Sequence, residues 1–146
     1  MYDNVLVPTD GSSTVRQTLE HALPIAETND ATVHALYVVD TRLLQAATDG
    51  TRAEIEADLE DEGRAAVADV ADRAGEAGLE TVESVRHGTP DKEILEYAAD
   101  ADVDLIVIGT QGKSPREKQI SMGSVSERVV DNASVPVFVV RDASDE

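Results

Sequence analysis

The sequence predicts an α/β domain: an open, doubly wound, five-stranded parallel sheet in strand order 3-2-1-4-5, with helices on both faces. Three observations predict it. Short apolar runs alternate with longer stretches of helical periodicity along the whole chain. The runs are nearly unbroken and rich in Val, Ile and Leu, as strands buried on both faces require. The resulting order, β-α-β-α-β-α-β-α-β, calls for parallel pairing through right-handed crossovers, a Rossmann-like arrangement.

The elements follow in order. Residues 4–8 (NVLVP) read as the first strand. In residues 13–27, Val15, Leu19, Ala22 and Ala26 recur at helical spacing, and Pro24 inside that pattern removes a backbone bond and is expected to kink the last turn. Residues 32–39 (TVHALYVV) form the second strand. Residues 41–50 match neither period. Residues 51–77 carry a stripe of Ile55, Leu59, Ala66 and Val70, with Glu and Asp assigned to the opposite face. Residues 80–86 are weaker, with Val82 and Val85 as their main apolar side chains, which suits an edge strand. Pro90 opens a helix where its missing N–H costs little, and Ile94, Leu95 and Ala98 line its inner side. Residues 104–108 (DLIVI) and 136–140 (PVFVV) are the remaining strands, separated by a helix that follows Gly123 and carries Val125, Val129 and Val130.

At 146 residues the chain fits one domain, residues 1–146, with one substantial core. No apolar run approaches the ~20 residues that cross a bilayer, and the first residues lack the basic flank and apolar stretch of a secretory signal. Without cysteine there is no disulfide framework and no thiolate chemistry. A cytoplasmic location is expected. Thirty acidic against twelve basic residues leave a net charge of −18, and lysine occurs only at 92, 113 and 118. Such a chain repels itself unless screened, as expected of a protein adapted to a saline (halophilic) cytoplasm. The same balance argues against nucleic-acid binding, which needs a basic face. Only four aromatic side chains are present for stacking.

In a doubly wound sheet, ligands bind at the carboxyl ends of the strands where the order reverses, commonly between the first and fourth. The sequence is most distinctive at those ends: Val7-Pro8-Thr9-Asp10-Gly11-Ser12 after one strand, and Gly109-Thr110-Gln111-Gly112-Lys113-Ser114 after the other. Gly109 and Gly112 would let the backbone turn and approach a ligand closely. Gly123-Ser124 at a helix start would aim free N–H groups and the positive dipole end at an anion. Asp10 could accept hydrogen bonds from a base or sugar, or simply cap the first helix. Lys113, Arg116 and Lys118 form a basic island suited to phosphate. Gly-Lys-Ser at 112–114 is not a Walker A loop, because Val107 stands where its first glycine belongs.

Taken together, these motifs resemble the universal stress protein family over nearly the whole chain: residues 7–12, Val38-Val39-Asp40, Gly88-Thr89-Pro90, Gly109-x-x-Gly112, Gly123-Ser124 and Val135-Pro136-Val137. The family contains members that bind ATP and members that do not. In the binding members, the resemblance implies that Asp10 contacts the adenosine, with Pro8 and Thr9 beside it, and that Val38 packs against adenine. It implies that Gly109, Gln111 and Gly112 border the ribose and phosphates. Gly123, Ser124, Val125 and Ser126 would hold the phosphates, with Lys113 or Lys118 and Mg2+ neutralising them. One departure stands out: ten residues separate Gly112 from Gly123, where the family pattern has nine.

The leading expectation is therefore an ATP-binding stress-response module that regulates or interacts according to its nucleotide state, with slow hydrolysis at most. The alternative is an interaction module of the same family that binds no nucleotide. A true ATPase or phosphotransferase is a third class, disfavoured because no carboxylate is evidently placed to activate water and the three histidines read as structural. The apolar strand Val137–Val140 would lie at the sheet edge, and edges like that are normally covered. The resemblance implies pairing with a second copy, hence a homodimer.

Overall fold

The structure, a computed structural model, describes residues 2–45, 47–110 and 124–141. The elements are β1 (Asn4–Pro8), α1 (Val15–Asn29), β2 (Thr32–Asp40), α2 (Thr41–Gln45), α3 (Asp49–Glu76), β3 (Thr81–Gly88), α4 (Pro90–Asp100), β4 (Leu105–Gly109), α5 (Ser124–Asn132) and β5 (Val137–Val140). The strands make one five-stranded sheet in order β3-β2-β1-β4-β5, every pair parallel.

Alternation along the strands feeds two cores. Val5, Val7, Val33, Ala35 and Val39 point to one face and meet Leu19, Ala22 and Ala26 of α1 and Val67, Val70 and Ala74 of α3. Leu6, Leu36, Ile106 and Ile108 point to the other and meet Ile94, Tyr97 and Ala98 of α4 and Val129 of α5. Both faces are covered, so the continuous apolarity of the strands is accounted for residue by residue. Each fully buried aliphatic side chain contributes about 1.5–3 kcal/mol. Asp104 fixes the starts of two strands at once, since its Oδ2 accepts from the N–H groups of Asp3 and Asn4 at 2.8 and 3.0 Å.

Four details refine the sequence reading. α1 continues past Pro24 to Asn29, where Asp30 takes a left-handed conformation (φ 53°) and the Ala31 N–H closes onto the Ala26 carbonyl. Residues that matched neither period supply α2 and the start of α3. β3 is an edge strand with Val82 exposed, as its thin apolar content predicts. Val130 is exposed rather than in the stripe of α5.

The buried His34 joins the sheet to α4. Its Nδ1 lies 2.7 Å from the Tyr97 hydroxyl and its Nε2 lies 3.0 Å from Asn4 Oδ1. Burial pushes the imidazole below its usual value of 6.5. Between the lowered folded value and 6.5, the unfolded chain binds a proton that the folded one refuses, so stability falls as pH drops through that window. Urea unfolding at pH 7.5, 6.5 and 5.5 should show this slope, and His34→Gln should be less stable at pH 7.5 with a flatter profile below it.

Candidate functional site

β1 sits between β2 and β4, so the chain leaves it in one direction through β2 and β3 and returns to its other side through β4 and β5. At this reversal of strand order a cleft of about 330 Å3 opens above the carboxyl ends of β1 and β4. Its lining includes Pro8, Thr9 and Asp10 from the first loop, Tyr37, Val38 and Asp40 from the end of β2, Gly109 from β4, and Val125 and Ser126 from α5. Seven of the residues singled out from sequence thus share one cleft: Pro8, Thr9, Asp10, Val38, Gly109, Val125 and Ser126. Ser124 is exposed at the start of α5 and is not part of the lining. Gln111, Gly112, Lys113 and Gly123, together with the basic residues Arg116 and Lys118, lie outside the described residues.

The walls are held by local interactions. Asp10 turns its Oδ1 to the N–H of Ser12 at 2.9 Å, which shapes the loop. The first turn of α1 instead follows Thr14, whose side chain makes no capping bond. Asp40 is gripped by Arg42, whose Nε and Nη2 donate at 2.9 and 2.8 Å while its backbone N–H donates at 3.0 Å. The guanidinium holds this carboxyl below the usual carboxylate range. Gly109 owes its identity to packing: a Cβ there would stand 2.6 Å from Thr18 Oγ1 of α1. That is a different reason from the ligand approach expected of it.

Several lining residues carry no sequence signal of their own. Leu43 of α2 stands at the cleft with over half its surface exposed. The Tyr37 hydroxyl donates to Glu62 Oε2 at 2.9 Å, and burial, followed by this partner, raises the phenol well above its ordinary range. Glu62 also lines a second groove of about 410 Å3 between the start of α1 and α3, so its carboxylate stands in the wall between two cavities. The tyrosine ring lies against Gly63, where a Cβ would come within 2.5 Å of it. A glycine inside a long helix is the one available clue, because it costs about 1 kcal/mol relative to alanine unless something packs against it.

A parallel sheet wound in this order, with a cleft at its switch point, defines an open doubly wound α/β domain. The family model described as "Universal stress protein family" matches residues 1–141, and the chain belongs to that family. Universal stress protein MJ0531 of Methanocaldococcus jannaschii is 39% identical over 147 aligned positions, covering 100% of this chain and 86% of that protein. The solved structure of MJ0577 from the same organism superposes with a TM-score of 0.87 at 30% identity, covering 97% of each chain. A universal stress protein solved in complex with cAMP gives a TM-score of 0.69 at 26% identity, covering 96% of this chain and 97% of that one.

The Tyr37–Gly63 contact makes a paired test. Gly63→Ala should destabilise by about 1–3 kcal/mol through overpacking, despite alanine's better helix propensity. Gly75→Ala, also in α3 but with nothing within 4 Å of its Cβ position, should stabilise by about 0.5–1 kcal/mol. Denaturant midpoints of the two variants read the difference directly.

Proposed function

We propose that this chain binds ATP in the β1/β4 cleft and acts as a nucleotide-dependent regulatory or interaction module of the cytoplasmic stress response. The observation that carries the reading is the convergence of Asp10, Val38, Gly109 and the first turn of α5 on one cleft of about 330 Å3, a volume at the lower end of small-molecule sites. Support also comes from the relative solved in complex with cAMP, an adenine nucleotide.

The chemistry of the walls assigns the two ends of the ligand. Val38, Ile94 and Leu43 offer apolar contact to a base, and Asp10 offers an acceptor to a ribose or base N–H. Among the described residues, the charged side chains of the lining, Asp10, Asp40 and Glu62, are all acidic. Phosphates are therefore repelled from this end and turn toward α5. There the positive end of the helix dipole favours an anion, and Ser126 is within the lining. Gly112, Lys113, Gly123 and Ser124 would complete the cradle, and Mg2+ carried on the phosphates would offset their charge.

Turnover is not what these walls favour. The carboxylates of the described lining are engaged in holding the wall, with Ser12 N–H donating to Asp10, Arg42 to Asp40 and Tyr37 to Glu62.

Calorimetry in molar KCl with MgCl2 tests the reading. Wild type should bind ATP with micromolar affinity, and Gly123→Val and Asp10→Ala should each weaken it by roughly tenfold or more, in keeping with the loss of a buried polar contact. Adenosine should retain sensitivity to Asp10→Ala but not to Gly123→Val. No heat with ATP, and no nucleotide retained through purification, would leave the nucleotide-free interaction module as the better account.

The same proposal includes a homodimer through β5. That strand forms one edge of the sheet, and its Phe138 is 40% exposed; an apolar edge of this kind is a template for pairing. Light scattering should give twice the chain mass for wild type and the single-chain mass for Val139→Lys.

A further inference from the structure

Away from the cleft, Glu56 and Glu60 of α3 and His87 of β3 bring two carboxylate oxygens and a ring nitrogen within 4.8 Å of one another. We propose that these three side chains form a binding site for a divalent transition-metal ion of the Zn2+ type.

The placement follows from two periodicities. Residues four apart share one face of a helix, so Glu56 and Glu60 project side by side. Along β3, successive side chains alternate between faces. Arg86 turns toward α4, pairing with Glu93 and Asp100 and lying 4.9 Å over the Tyr97 ring, and His87 turns the other way, onto α3. His87 Nε2 stands 2.7 Å from Glu60 Oε2 and 3.6 Å from Glu56 Oε2. Donors bound to one Zn2+ at about 2.0–2.2 Å lie about 3–4 Å apart. The longer contact already has that spacing; the shorter is a hydrogen bond in this structure, so Glu60 would move outward as the ion replaces the proton between the two groups.

The donor set and the local charge indicate the kind of ion. One imidazole with two carboxylates suits Zn2+ and its neighbours in the first transition row, whereas Mg2+ and Ca2+ prefer all-oxygen shells. Two carboxylates at this helical spacing repel each other. Converging on one imidazole, they leave negative charge that a dication would cancel. The three side chains are 32–43% exposed, so the remaining coordination positions face solvent and would hold water. The other histidines are committed elsewhere: His34 uses both ring nitrogens, and His21 packs against Phe138. A bound ion would tie α3 to the edge strand β3, one residue from Leu59 in the wall of the cleft.

The test is a titration of the full chain with ZnCl2 in molar KCl and excess MgCl2, which occupy the non-specific carboxylate surface. Calorimetry should give one ion per chain with micromolar affinity. In the same titration by NMR, the His87 ring resonances should move while those of His21 and His34 stay in place. His87→Gln and Glu60→Gln, both at partly exposed positions, should weaken binding by roughly tenfold or more, with the circular dichroism spectrum unchanged. Zn2+ binding that is not saturable above the Mg2+ background, a wild-type His87 signal that does not respond, or wild-type affinity in His87→Gln would each overturn the proposal. The wild-type NMR arm decides the matter even if a variant fails to fold.

Discussion

β1 is enclosed on four sides, and the rest of the molecule is arranged around that enclosure. Val5 and Leu6 have register partners in both β2 and β4, Val5 and Val7 sink into one core, and Leu6 sinks into the other. A strand hydrogen-bonded along both edges and covered on both faces leaves the following chain only one exit, at its carboxyl end. The sheet then grows outward from β1 in two directions, through β2 and β3 on one side and β4 and β5 on the other. The ladder closes where Pro8, without an N–H, stands opposite Leu36, and the Thr9 N–H makes the last bond to the Leu36 carbonyl. The cleft begins there. The burial of Val5, Leu6 and Val7 thus fixes the strand above whose end the cleft opens.

How much of this was legible in the sequence depends on the range of the interaction concerned. Strands written as continuous Val, Ile and Leu were legible because burial on both faces leaves no alternation to obscure them. The weak apolar content of β3 correctly marked an edge. The switch-point loops were legible because Pro8, Asp10 and Gly109 are local punctuation. The Tyr37–Glu62 bond joins residues 25 apart, and neither residue type announces the other. Gly109 lines the cleft as its place after a strand suggests, but its packing against Thr18 of α1, which leaves a Cβ only 2.6 Å from Thr18 Oγ1, involves a different element and leaves no local signal. α3 was read with its acids facing away from the sheet, yet Glu62 enters the cleft wall and Glu56 and Glu60 meet β3. A helical stripe identifies the apolar face well, but its flanks can still reach inward with long side chains.

Charge imposes a second order on the fold. With a net −18, much of the surface repels anions, and several of the arginines among the described residues are paired with carboxylates. Arg42 holds Asp40, Arg86 holds Glu93 and Asp100, and Arg73 meets Asp69. Exposed pairs of this kind add little stability. Their larger effect is to orient carboxylates at particular places, as Arg42 does at the edge of the cleft. An acidic cleft wall and a helix start would give a ligand with one charged end, of the kind proposed above, a preferred direction.

The contact between Tyr37 and Gly63 has a further consequence. The phenol ring is fixed from below by a helix backbone with no side chain to yield, and from its tip by Glu62. A wall held this way is already in one rotamer before any ligand arrives. Association then avoids the loss of side-chain freedom that a looser wall would incur, about 0.5–1.5 kcal/mol for each rotamer-rich group immobilised. The missing methyl group at position 63 would thereby act on the entropy of binding, at a distance from any molecule in the cleft and without touching it.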